Sequence, residues 1–240
     1  MFLYQPIDGY CYNSDTHFLF NFICQNLKQF KNIQGDLLDI GSGSGVLGLL
    51  IARDYKNIIL NQVEIQKEFC FLSQKNSQIN NIKSKLFEGN FLNIQFKTQY
   101  KYIVSNPPFY PDCVVKSDNK NIQISRYNNN LPLDKFICKV SQILIKNGIF
   151  FFCYDVSLLN DIIICCNRYQ LNIEVIQFLH SKENKNASLV MIMARNNSKS
   201  MTKILPPVIM FDKTNKLNEN VIDIYNNCST YSMKCKVNDF

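Results

Sequence analysis

The sequence predicts an α/β fold: a mostly parallel seven-stranded sheet with a terminal antiparallel hairpin and helices on both faces. Three observations carry this. Short apolar runs of strand character alternate with helical patterns from residue 36 to 166, the rhythm of right-handed βαβ crossovers. One strand runs straight into a glycine-rich loop that opens a helix. The last two strand-like runs are separated only by the polar SKENKN, too short for a parallel crossover, so they pair as a hairpin.

Taken in order, HFLFNFICQNLKQF (17–30) reads as a helix with Asp15 or Thr16 as its N-cap. DLLDI (36–40) is the first strand, and VLGLLIARDY (46–55) is the helix after its glycines. NIILNQVE (57–64) is the second strand, IQKEFCFLSQKNSQIN (65–80) the next helix, and SKLFEG (84–89) a short third strand. YKYIVS (100–105) is the fourth. A long polar loop (111–131) precedes the helix LDKFICKVSQILIK (133–146), with Asn147-Gly148 as its C-cap. GIFFFCY (148–154) is the fifth strand, followed by a helical stretch through Cys166, then the hairpin LNIEVIQFLH (171–180) and ASLVMIMARN (187–196). Beyond it the composition turns polar, and ILPPVIMF and ENVIDIYNN suggest a small appendage. The expected organisation is a segment 1–35 whose helix covers a ligand pocket, a core 36–195, and an appendage 196–240.

At 240 residues, 46% of them apolar, the chain can bury a sizeable core. No apolar stretch reaches the roughly eighteen residues of a bilayer span. MFLYQPIDGYC lacks the basic start and apolar block of a signal peptide, which points to the cytoplasm. The ten cysteines form no CxxC pair and sit mostly in apolar runs (FICQ, FFCY, IIICC), where they read as small hydrophobes; no metal site is expected. His17 and His180 are the only histidines, a poor basis for a histidine-centred triad. A formal charge of +7 is compatible with a nucleic-acid partner.

LLDIGSGSGVLG holds two overlapping patterns. Gly43, Gly45 and Gly48 satisfy G-x-G-x-x-G, and Glu64 follows at the distance expected of a ribose-binding acid, as in a nicotinamide-dependent oxidoreductase. Gly41, Gly43 and Gly45 satisfy G-x-G-x-G after Asp39, the nucleotide loop of S-adenosylmethionine methyltransferases. Asp39 suits a ligand carrying an ammonium and a sulfonium and repels a pyrophosphate.

The end of the fourth strand, VSNPPFY (104–110), favours the second pattern. In open α/β sheets the ends of neighbouring strands flank the ligand crevice. Asn106 and the Pro107 carbonyl can accept both N–H bonds of a planar amine, with the rigid Pro107-Pro108 pair fixing the acceptors and Phe109 stacking on the ring. A hydride transfer has no use for such a clamp. An amine attacking a methyl carbon loses its proton afterwards, so the scarcity of histidine is no obstacle.

With these residues the chain resembles the class I methyltransferases that carry N-P-P-[FYW], over about residues 36–195, and so implies their Rossmann-like fold. Within them it looks most like the bacterial tRNA(Val) adenine-N6 methyltransferases, which modify the adenine 3′ of the anticodon. PIDGYCYNSDTHFL, Arg126, KNASLVMIMARN and ILPPVIMFDKTNKLNENVIDIYN carry that narrower likeness. The resemblance implies S-adenosyl-L-methionine as cofactor, tRNA as partner, no membrane or metal, and a monomer or weak dimer. It implies that Asp39, Gly41, Ser42, Gly43 and Gly45 line the cofactor's tail, Glu64 takes its ribose, Ile65 presses on its adenine, and Asn90 and Phe91 meet the adenine edge. Asn90 stands where the commoner pattern has Asp. Asn106, Pro107, Pro108 and Phe109 become the amine clamp, with Asn106 also beside the cofactor. Tyr110, Lys116, Lys120 and Arg126 are candidates for RNA contact, as are Lys182, Lys185, Lys199 and Lys203, although each lysine alone also reads as solvated surface. Tyr10 and Tyr12 either reach the pocket mouth or pack over the sheet. The same clamp serves a protein glutamine, a guanine N2 in ribosomal RNA, or an adenine in DNA.

Overall fold

The computed structural model describes residues 1–7, 11–107 and 131–236. β1 (Phe2–Pro6) and α1 (Ser14–Leu27) lead into β2 (Gly35–Ile40), α2 (Val46–Asp54), β3 (Ile58–Glu64), α3 (Lys67–Ile79), β4 (Ser84–Glu88) and β5 (Tyr100–Ser105). Then come α4 (Leu133–Ile143), β6 (Leu144–Asp155), α5 (Leu159–Arg168), β7 (Leu171–His180), β8 (Ala187–Asn196), β9 (Lys203–Ile204), β10 (Val208–Ile209), α6 (Glu219–Cys228) and β11 (Tyr231–Cys235). No helix among them is long and apolar enough to cross a membrane.

The main sheet runs β10-β7-β8-β6-β5-β2-β3-β4, with β9 also beside β7. The five strands from β6 across to β4 are mutually parallel, while β8 is antiparallel to both β6 and β7. The seven expected strands and the hairpin are therefore present, lengthened at one edge by two two-residue strands. Phe150, Phe151, Phe152 and Cys153 in β6 are all fully buried, because both faces of a parallel sheet are covered. That is why the run reads as continuously apolar.

Two expected boundaries are wrong. The first helix starts at Ser14 with Asn13 at its N-cap, so Asp15 and Thr16 lie inside its first turn. The fourth helix ends at Ile143, and Asn147 (φ 60°) is no helix cap. Asn147 lies instead in the irregular stretch of β6 between Leu144, opposite Tyr100, and Ile149, opposite Tyr102. A left-handed Asn followed by Gly serves a bulge as well as a cap, and the local pattern does not separate the two.

The ends of the chain wrap the first crossover. Val46 to Ala52 of α2 are all buried, since a helix that is apolar all round must be covered all round. β1 pairs in parallel with β11 to form a separate two-stranded sheet. Asn76 on α3 and Asn80 at its C-cap bond to the backbone of β1: Asn76 to both N–H and C=O of Tyr4, Asn80 to those of Phe2. Arg53 donates to the Cys228 and Asn227 carbonyls at the end of α6 (2.6 and 3.2 Å). Leu3, Val208, Val221 and Cys228 belong to the same apolar cluster as Leu37 and Phe150.

Gly48, read above as a possible dinucleotide signature, has a packing reason. A Cβ there would lie 2.7 Å from Leu60 Cδ1 and 2.9 Å from Asp39 Oδ2. Gly48→Ala is expected to lower stability by about 1–3 kcal/mol in urea denaturation. An unchanged midpoint would mean that α2 shifts without cost.

Candidate functional site

The site lies where β2 and β5 run side by side, with the chain leaving β5 for α4 and β2 for α2. The glycine loop turns through Gly41 (φ 67°), Gly43 (φ 53°) and Gly45 (φ 86°). At Gly45 a Cβ would meet Gln62 Nε2 at 2.7 Å and Ser73 Oγ at 2.8 Å, so both backbone conformation and space require glycine. At Gly41 and Gly43 none of the described residues lies within 4 Å of where a Cβ would sit. The loop is anchored from below: Gly41 and Ser42 N–H donate to the Val63 carbonyl (2.9 and 3.0 Å). Ser44 Oγ accepts from Gln5 Nε2 at 2.6 Å, tying β1 to the loop.

Two carboxyls are buried behind this loop. Asp39, 1% exposed, accepts from Gly48 N–H at 2.9 Å. Burial pushes its pKa up to about 7, the nearby Glu64 charge adds to the rise, and the Gly48 bond opposes it. Glu64 Oε2 accepts from Gly43 N–H and Oε1 from Ile65 and Gln66 N–H, all at 2.8 Å. Burial raises the Glu64 pKa against those three bonds. The hydroxyl of Ser42 is buried and has no hydrogen-bond partner among the described residues.

Beyond Glu64, Ile65 presents an exposed side chain. Asn90 caps a short turn, its Oδ1 accepting from Leu92 N–H at 2.9 Å. The Phe91 ring belongs to the core rather than the cleft, near Phe96 and Phe136 (centroids 5.9 and 6.0 Å). Lys139 from α4 holds this segment, donating to the Leu92 and Ile94 carbonyls (2.8 and 2.7 Å) above the Phe91 ring.

Asn106 follows β5 and is half-buried, with Pro107 buried beside it. Its amide is held at both ends. Nδ2 donates to Thr16 Oγ1 of α1 at 3.2 Å, and Oδ1 accepts from Cys153 Sγ of β6 at 3.1 Å. Burial raises the Cys153 thiol well above its usual pKa, so it stays a protonated donor. Asp15, next to Thr16, is itself pushed up by burial. Sequence reasoning assigned Thr16 and Cys153 no role at the amide. One looked like a cap and the other like a core residue, and only the register of β5 and β6 brings them together. Tyr12 turns to the C-terminal segment, its hydroxyl meeting Thr230 and Ser232 (3.1 and 2.9 Å). Pro108, Phe109, Tyr110, Lys116, Lys120, Arg126 and Tyr10 lie outside the described residues.

The donor set discriminates between cofactors. A pyrophosphate on this loop would face two buried acids, whereas a ligand with ammonium and sulfonium charges meets opposite charge. The open space at Gly41 and Gly43 and the orphaned Ser42 hydroxyl are available to it. S-adenosylmethionine fits these residues.

The fold is that of the class I, S-adenosylmethionine-dependent methyltransferases. A predicted O-methyltransferase from Agrobacterium tumefaciens shares it with a TM-score of 0.66 and 14% identity, over 92% of this chain and 99% of that one. The chain belongs to the methyltransferase small domain family, which matches residues 17–152. Among curated relatives, a tRNA1(Val) (adenine(37)-N6)-methyltransferase of Pedobacter heparinus is 26% identical over 65% of this chain and 67% of its own length. A release factor glutamine methyltransferase of Flavobacterium psychrophilum is 30% identical over 42% of this chain and 35% of its own. Other tRNA1(Val) relatives are matched over about half of their length.

Asp39 gives the site a pH signature. A carboxyl with an ordinary pKa of 3.8 and a folded value of about 7 holds its proton more tightly when folded. Its contribution favours the folded state below about pH 4 and is lost as pH rises towards 7. Urea unfolding of the ligand-free protein should therefore show Asp39→Asn flattening the decline in stability between these pH values. An equal decline in both proteins would mean Asp39 is ionised when folded.

Proposed function

We propose that the protein transfers a methyl group from S-adenosylmethionine to the exocyclic N6 amine of an adenine in tRNA, beside the anticodon of a valine tRNA. The observation that carries this reading is the Asn106 amide, fixed by Thr16 and Cys153 at the end of the strand next to the glycine loop. The names and similarity of the tRNA1(Val) relatives support the choice of substrate.

S-adenosylmethionine supplies the electrophilic methyl group. Asp39, Ser42 and the glycine loop hold its amino-acid tail, Glu64 its ribose, and Ile65 and Asn90 its adenine. Oδ1 is the only acceptor of the Asn106 amide and would take the target amine, while Nδ2 is committed to Thr16. The weak thiol bond from Cys153 leaves that oxygen with accepting capacity. The Pro107 carbonyl takes the second amine hydrogen and Phe109 supports the base. With both hydrogens held, the nitrogen lone pair points at the methyl carbon, and orientation accounts for much of the rate. As the N–C bond forms, the S–CH3 bond would break and S-adenosylhomocysteine would leave as a neutral thioether; the amine, now positively charged, gives its proton to water, so no strong base is required.

Radiolabelled methyl transfer into total unmodified tRNA, followed by digestion to nucleosides, tests the reading. Label should appear in N6-methyladenosine, and Asn106→Ala should lower the rate by about 10²–10³-fold, the scale for losing one oriented polar group. No label in tRNA, with label in a release factor or ribosomal RNA offered in parallel reactions, would move the substrate and keep the clamp.

Thr16→Val should lower kcat about tenfold with cofactor affinity intact, as expected when an amide is free to turn. Thr16→Ser should restore it. If the serine variant is as slow as the valine one, the hydroxyl does not orient Asn106.

A further inference from the structure

Lys182, Lys185, Lys199 and Lys203, singled out in the sequence, separate into two pairs once the register is known. The row through Ser105 continues across the sheet through Phe152, Ile192 and Ile176. β7 runs in the same direction as β5 and ends at His180, four residues past Ile176, or about 13 Å beyond that row at about 3.3 Å per residue. The turn after β7 thus projects past the edge from which Asn106 emerges. β10 continues beside it, with Val208 opposite Leu179 and Ile209 opposite His180. Lys203, by contrast, sits opposite Val175, and Ser200 beside Lys199 is bonded to Asn172, both back from the catalytic edge.

The loop that leaves β10 lies directly against the turn. Phe211 N–H donates to the Ser181 carbonyl and Met210 N–H to that of His180, both at 2.9 Å. Phe211 bridges to Leu217, closing the loop into a compact finger. Together SKENKN and FDKTNKL place Lys182, Lys185, Lys213 and Lys216 on one rim, against Glu183 and Asp212. Asp212 is occupied in shaping its loop: Oδ1 accepts from Thr214 N–H, Thr214 Oγ1 and Lys216 N–H. Those bonds, with the Lys182 charge, hold its carboxyl below the usual range.

We propose that this rim, formed by the 181–186 turn and the 211–217 loop, grips the phosphate backbone of the substrate RNA away from the target base, and that Lys199 and Lys203 do not. The proposal rests on the tRNA reading above. β7 is three strands from β5, about 14 Å at about 4.8 Å per strand, so the rim stands roughly 20 Å from Asn106. At about 3.4 Å per stacked nucleotide this is on the order of six nucleotides, the reach from a flipped loop base to the stem below it. Asn184, Asn186 and Asn215 add neutral donors to the same surface, suited to phosphate oxygens.

The test measures binding of unmodified tRNA by fluorescence anisotropy across a salt series, alongside methyl transfer. The four-site variant with Lys182, Lys185, Lys213 and Lys216 each changed to Gln is compared with Lys199→Gln/Lys203→Gln. The rim variant should weaken tRNA binding at least tenfold and reduce the slope of log affinity against log salt by about 0.7–0.9 for each phosphate no longer neutralised. Its cofactor affinity should be unchanged, and the paired control should stay within twofold of the unaltered protein. Equal losses in both variants, or none in the rim variant while tRNA is methylated, would overturn the rim and leave the reaction standing. Rim-dependent binding without transfer to tRNA would uphold the rim and overturn the reaction. No tRNA binding by the unaltered protein would overturn both.

Discussion

The site depends on the register of two parallel strands. β2 lies beside β5 with Ile40 opposite Ser105, and the Ser105 hydroxyl donates to the Ile40 carbonyl at 2.8 Å, locking the strand ends together. The glycine loop and Asn106 therefore leave the sheet at the same level and about one strand spacing apart, roughly 4.8 Å. A slip of one residue would turn Asn106 to the opposite face and force polar side chains into apolar layers. Because both faces of the sheet are covered, that slip is costly everywhere along the strands.

Placing acids behind the glycine loop has a cost that the fold carries in the ligand-free state. Asp39 and Glu64 are each below a tenth exposed and are satisfied by backbone N–H groups rather than by cations. Desolvation outweighs those bonds, so both pKa values move up. A cationic ligand reverses the balance, since the low-dielectric surroundings that penalise an isolated carboxylate also strengthen its attraction to a nearby positive charge. The same burial makes the loop a weak host for phosphates.

The sequence was most informative where one pattern served one purpose. The alternation of helix and strand and the short connection in the hairpin each had a single local reading, and those elements stand; the glycines after Asp39 had two, which the prolines after β5 separated. Asn147-Gly148 misled because a left-handed asparagine suits a bulge and a helix cap equally. β1 and β11 escaped notice because their pairing joins residues more than two hundred positions apart. Nor did Asn76 and Asn80 announce themselves: in an asparagine-rich chain, side chains that satisfy a strand's backbone look like any others on a polar helix face. For the lysines, position in the sequence supplied candidates, and only sheet topology separated those lying past the end of β5 from those behind it.

The support around Asn106 explains why α1 is more than a cover. An amide side chain can turn its oxygen and nitrogen end for end at little local cost, and only one orientation presents an acceptor to an incoming amine. That orientation is set from two sides, by a hydroxyl in the first turn of α1 and by a thiol in β6. β6 is fixed within the sheet, but the start of α1 is placed by what surrounds it. His17 meets Thr230 at 3.2 Å and packs edge-on against Tyr12 and Tyr225. The position of the Thr16 hydroxyl, and with it the setting of the Asn106 amide, thus depends on α6 and β11.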